Sequence, residues 1–155
     1  MKVGRWIVSL AWLAAVLAAT APVAMAQEGG AKTKISIWSG VYTAAQNKRG
    51  EELYSGACAQ CHGLKLNGAG QPDQPPSPAI AREGFLRKWA GKTVAELFVY
   101  VHTKMPPDNP GSLTEQQSID AIAHMFAVSN MPPGDKELSS ESNALTGLVI
   151  EAQPK

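Results

Sequence analysis

The sequence predicts an all-α chain: three main helices joined by long loops. Three observations predict it. Proline-free stretches of helical composition carry apolar residues three and four positions apart, and two such stretches open on a threonine followed three residues later by Glu or Gln. Glycine and proline crowd the spaces between them, a composition of loops. No segment shows the apolar–polar alternation of a half-buried strand.

At the start, Lys2 and Arg5 precede an apolar run from Trp6 to Ala21, and Ala24-Met25-Ala26 follows as a small-x-small cleavage signal. These features predict a signal peptide over 1–26, cleaved after Ala26. The run is short for a bilayer span of about 20 residues, so no membrane span is expected after cleavage; an uncleaved anchor is the alternative. Residues 27–42 form an N-terminal extension in which Trp38 and Tyr42 are apolar enough to dock on the domain. Thr43 then caps a helix over Ala44–Ala57, with Gly50 and Tyr54 on one face. A mid-helix glycine costs about 1 kcal/mol relative to alanine. Gly50 therefore points to a second backbone passing close by, unless it is merely tolerated.

The stretch from Gly63 to Pro78 carries Gly63, Gly68, Gly70, Pro72, Pro75, Pro76 and Pro78 and reads as loop. A short helix is expected around Glu83–Trp89. The capping box Thr93–Glu96 opens a middle helix with Val94, Leu97, Phe98 and Val101 as its apolar stripe, ended near Thr103 or Lys104 by Pro106-Pro107. Thr114–Gln117 opens a last helix through about Val128, with Ile119, Ile122, Ala123 and Phe126 facing inward. Residues 43–134 are assigned to the helical domain. The polar residues 135–155, with a weak apolar patch at Leu145–Ile150, are assigned to a C-terminal tail.

Chemistry concentrates at Cys58-Ala59-Gln60-Cys61-His62. Two thiols three positions apart, followed at once by histidine, have the spacing of c-type haem attachment. Each sulfur can form a thioether with one haem vinyl group, which holds His62 beneath the iron. These are the only two cysteines, so no disulfide competes for them. A zinc site would need two further ligands at finger-like spacing, and His102 and His124 do not supply a close pair. A thiol oxidoreductase CxxC is expected in a βαβ setting, whereas the flanks here are helical. Three helices and proline-rich loops also give too little side-chain material for a well-filled core. One large flat apolar cofactor would fill that deficit.

The residues Gly50 and Tyr54, Cys58-x-x-Cys61-His62, Pro78-x-Ile80, Met105-Pro106 and the closing helix resemble the monohaem class I cytochrome c family over about Thr43–Pro133. The run Thr103-Lys104-Met105-Pro106-Pro107, with Pro110-Gly111-Ser112-Leu113-Thr114 after it, is similar to small periplasmic cytochromes that serve quinoprotein and other periplasmic dehydrogenases. The resemblance implies the class I cytochrome c fold, one covalent haem c, and export to the periplasm before attachment. It implies His62 and Met105 as axial ligands, with the Pro78 carbonyl accepting from the His62 ring, Ile80 on the haem face, and Trp89 near a propionate. A core Trp89 bonded to backbone is the other reading. A thioether is a weak ligand that raises the potential, and Pro106-Pro107 would stiffen the loop that presses it onto iron. Met131, also followed by two prolines, is the rival sixth ligand; Met125 reads as core. Two departures stand out: His124 replaces an aromatic residue expected against Gly50 and Tyr54, and His102 replaces an arginine suited to a propionate.

Without residues 1–26 the chain carries 12 basic and 13 acidic side chains, which gives no support to nucleic-acid binding. Between His62 and Met105 the balance is +3, and from Pro106 onward it is −5. The basic excess suggests a positive rim near the haem edge where an acidic partner could dock. A monomeric one-electron carrier is expected, not an enzyme, with a periplasmic dehydrogenase or a terminal oxidase as partner. The alternatives are a tightly bound cytochrome subunit of such a dehydrogenase, a haem sensor with labile Met105, and a haem-free CxxC thiol oxidoreductase.

Overall fold

Helices dominate because the local signals are strong. The computed structural model describes residues 34–74 and 76–154. The signal peptide, its cleavage after Ala26, the start of the N-terminal extension and Pro75 lie outside the described residues. The elements are β1 (Ile35–Ser36), α1 (Ala44–Ala57), α2 (Ala59–His62), α3 (Arg82–Trp89), α4 (Val94–Lys104), α5 (Glu115–Val128), α6 (Ser142–Leu145) and β2 (Leu148–Val149). Among the described residues no helix is long and apolar enough to cross a membrane.

Both expected capping boxes form. Thr93 and Glu96 exchange hydrogen bonds at the start of α4, and Thr114 and Gln117 do so at the start of α5. Each box satisfies two otherwise orphaned donors, so both helices start where the sequence places them. Val94, Leu97, Phe98 and Val101 are buried on α4, and Ile119, Ile122, Ala123 and Phe126 are buried on α5.

The main interhelical contact joins α1 to α5. Gly50 is the reason they can meet: a Cβ there would collide with the Asp120 carbonyl oxygen and stand 2.9 Å from His124 Cβ. The same seam carries a polar lock. Arg49 donates to both Asp120 oxygens and to Glu137, while His124 Nδ1 donates to Asn47 Oδ1 at 2.9 Å. The His124 ring lies 5.3 Å from that of Tyr54, so histidine takes the packing place of the expected aromatic residue.

The segments flanking the helical domain fold onto it. β1 and β2 pair in parallel, Ile35 opposite Leu148 and Ser36 opposite Val149, and Val149 also bridges Thr93. Leu138, Leu145, Leu148 and Ile150 are all buried. Burying such side chains contributes about 1.5–3 kcal/mol each, enough to hold a tail that reads as polar. Polar anchors add direction: the Gln46 amide bonds the Leu138 backbone in both senses, and Trp38 Nε1 donates to the Glu151 carbonyl.

Candidate functional site

α1 delivers the chain to Cys58, whose N–H closes the helix on the Tyr54 carbonyl at 2.9 Å. The backbone then turns through α2, so Cys58, Cys61 and His62 follow one another round a single helical turn. The following loop folds back on this turn. Gly68 N donates to the His62 carbonyl and Gln71 N to that of Gln60, both below 3.0 Å. Gly70 allows this close return, since a Cβ there would strike the Cys61 carbonyl oxygen. Tyr54 reinforces the loop from below by donating its hydroxyl to the Gly63 carbonyl at 2.8 Å, and burial raises its pKa above the usual phenol value.

All three motif side chains line one cavity of about 620 Å³, within the range of cofactor sites. Pro78, Ile80, Trp89 and Met105 line it as well. His62 Nδ1 lies 2.9 Å from the Pro78 carbonyl oxygen. A carbonyl can only accept, so the proton sits on Nδ1, and Nε2 keeps the lone pair a metal needs. Met105 occupies the C-cap of α4, held by its N–H to the Val101 carbonyl at 3.1 Å, and Pro106 and Pro107 follow it along the wall.

Of the two other methionines, Met125 is core as expected but also reaches the cavity, whereas Met131 is core and does not. Met131 is buried beside Tyr42, which donates to its carbonyl, and is not among the cavity-lining residues. Met125 does line the cavity, from α5. Core wall and cavity wall look the same in sequence, so no local signal separates them. His102 is also placed differently from the expected propionate contact. It stacks on Phe98 with ring centroids 5.6 Å apart and lies 3.2 Å from Ser118 Oγ, off the cavity lining. Lys88, Tyr100, Gln74 and Asp108 line the cavity without having been singled out by the sequence.

Thiol chemistry fits poorly. Burial pushes the Cys58 pKa up to about 11, the Cys61 charge adding to it, whereas reactive CxxC thiols have depressed values. Among the described residues no group of three or more His, Cys, Asp or Glu side chains is arranged to hold a metal ion, so a finger-like zinc site lacks its donor set. The residues do fit a haem: two sulfurs and an oriented imidazole from one helical turn, together with two thioethers, line an apolar cavity.

Residues 45–125 match the family model described as Cytochrome C oxidase, cbb3-type, subunit III. The chain belongs to this family. It carries a c-type cytochrome domain with the all-α class I cytochrome c fold, and the family's cofactor is haem c. Among solved structures, the cytochrome domain is similar to the sulfane dehydrogenase SoxCD from Paracoccus pantotrophus, with 19% identity and a TM-score of 0.47 over 77% of this chain and 61% of that one. This chain thus spans about three fifths of that relative's length. No curated protein matches it significantly.

Proposed function

We propose that the protein is a periplasmic one-electron carrier with one haem c, held by thioethers to Cys58 and Cys61 and ligated by His62 and Met105. When bound, the haem supplies an iron centre that accepts and returns a single electron. The chain's own residues have three tasks. His62 is steered by the Pro78 carbonyl, which fixes the ring and raises its basicity. Ile80, Leu97, Val101 and Leu113 exclude water along the wall. Met105 waits at a helix end backed by two prolines, where fixed φ angles limit its retreat.

The observation that carries the reading is the convergence of both thiols, the oriented imidazole and Met105 on one apolar cavity. Met125, which also lines the cavity, supplies the rival thioether. Ligation is tested by the far-red charge-transfer band of the ferric protein in Met105→Ala and Met125→Leu. The band disappears in the first and persists in the second; the reverse pattern overturns the assignment. A periplasmic dehydrogenase or a terminal oxidase is the proposed redox partner, on the strength of the Thr103–Thr114 resemblance and of the oxidase subunit in the family's description. Electron-transfer rates with such a partner should fall as salt rises if the basic rim guides docking; salt-independent rates remove that part.

A further inference from the structure

The Pro78 carbonyl steadies the His62 ring only as well as the chain that carries it is held, and residues 76–81 lie in neither a helix nor a strand. Two backbone donors strap this segment down instead. Ile80 N donates to the Leu66 carbonyl, and Arg82 N donates to Ser129 Oγ, each at 2.8 Å. Ser129 is the C-cap of α5 and is only 5% exposed. A hydroxyl has one hydrogen and two lone pairs. Ser129 gives its hydrogen to the Met125 carbonyl at 2.7 Å, which leaves a lone pair for Arg82 N. Arg82 Nε adds an outer tie to the Val128 carbonyl at 3.2 Å. Backbone strain marks the same anchors. Among the described residues, the non-glycine residues in the left-handed region are Leu66 at φ 56°, Arg82 at 55° and Asn130 at 66°. Side chains enter that region at a cost, and they persist there where the surroundings over-determine them. Leu66 and Arg82 take part in the two straps, and Asn130 follows Ser129.

We propose that Ser129 is a positioning residue for His62: its hydroxyl ties the segment bearing the Pro78 carbonyl to the end of α5, so that the carbonyl stays on Nδ1. The assignment rests on the haem reading above, in which His62 is an axial ligand. Ser129 itself is not on the cavity lining and acts through Arg82 and Pro78. Ser118 provides an internal control. It is a fully buried serine on the same helix, and its hydroxyl also donates four residues back, to the Thr114 carbonyl at 2.9 Å. It touches neither the Pro78–Arg82 segment nor the cavity lining.

Two readouts separate positioning from general support. The first is solvent exchange of the His62 Nδ1 proton in the reduced protein, followed by NMR. Ser129→Ala frees the segment, and this proton exchanges about fivefold faster, the factor a typical net hydrogen bond is worth. The second is a spectroelectrochemical titration. A carbonyl on Nδ1 makes the imidazole a more basic ligand and favours ferric iron, so loosening it raises the potential. At fixed ambient potential the ferric-to-ferrous ratio falls about twofold, less than the loss of a direct outer-shell partner would give. Ser129→Thr keeps the hydroxyl and stays near the parent. Arg82→Lys keeps the charge but loses the fixed guanidinium on Val128, and moves both readouts the same way by smaller factors. Ser118→Ala lowers stability to urea yet moves neither. Both readouts unchanged in Ser129→Ala and Arg82→Lys, or Ser118→Ala shifting them as far as Ser129→Ala, overturn the positioning role while leaving the carrier reading intact. A matured parent without covalent haem overturns the carrier reading and the positioning role together.

Discussion

Replacing Gly50 by alanine and Gly56 by alanine puts the same methyl group on the same helix and is predicted to change stability in opposite directions. At Gly50 the added Cβ would lie 2.7 Å from the Asp120 carbonyl carbon and 2.9 Å from His124 Cβ, with the Asp120 oxygen closer still. Ordinary carbon contacts need about 3.5–4.0 Å, so α1 and α5 must part by roughly 1 Å. That movement stretches the Asn47–His124 and Arg49–Asp120 hydrogen bonds along the same seam. Overpacking of this kind costs typically about 1–3 kcal/mol and sometimes more, against a helix-propensity gain of about 1 kcal/mol. The forced separation of two backbones belongs at the upper end, leaving a net loss of about 1–3 kcal/mol. Gly56 has nothing within 4 Å of its added Cβ, so Gly56→Ala keeps the gain, up to about 1 kcal/mol. Urea unfolding of the matured protein, followed by far-UV circular dichroism, reads both. A Gly50→Ala protein as stable as the parent, or equal losses at both sites, would refute the close-packed seam.

Further outcomes follow from the same contacts. Burial lowers the His124 pKa below its usual value, so the unfolded chain binds this proton more readily; stability is complete above about pH 6.5 and declines as pH falls through the folded-state value, a slope that should flatten in His124→Gln urea titrations. Tyr54→Phe leaves the buried Gly63 carbonyl without its hydroxyl donor and should cost about 1–2 kcal/mol in the same assay, with no loss pointing to a slack loop. Arg49→Ala takes the counter-charge from the Asp120 carboxylate, which is only 4% exposed, and leaves it the Gln116 amide as donor; it should destabilise by about 1–3 kcal/mol, discounted because Arg49 itself is partly solvated. Glu137→Gln, on an exposed carboxylate, should cost less than about 1 kcal/mol.

What the sequence made legible was local. The two capping boxes and the apolar stripes of α4 and α5 lie within a few residues of chain, and they form as written. Gly50 was readable because a mid-helix glycine has a cost that only close approach repays. The pairing of Ile35 with Leu148 was not readable, because a two-residue strand has no periodicity and its partner is more than a hundred residues away. The order of the tail was hidden for a related reason: Leu138, Leu145, Leu148 and Ile150 are apolar singly, and only the folded helices give them a common surface. At the site, Cys58, Cys61 and His62 announce themselves by spacing. Lys88 and Tyr100 do not, since their place on the cavity rim depends on how α3 meets α4. His102 turned away for the same kind of reason, its direction being set by the packing of α4 on α5.

The most direct test of the central claim is the intact mass of the denatured chain after maturation in a haem-attaching periplasm, with Cys58→Ala/Cys61→Ala as the reference. One haem is predicted to stay with the parent through acid–acetone extraction and to be absent from the double variant. A parent mass equal to bare polypeptide, or colour extracted into the organic phase, contradicts the account.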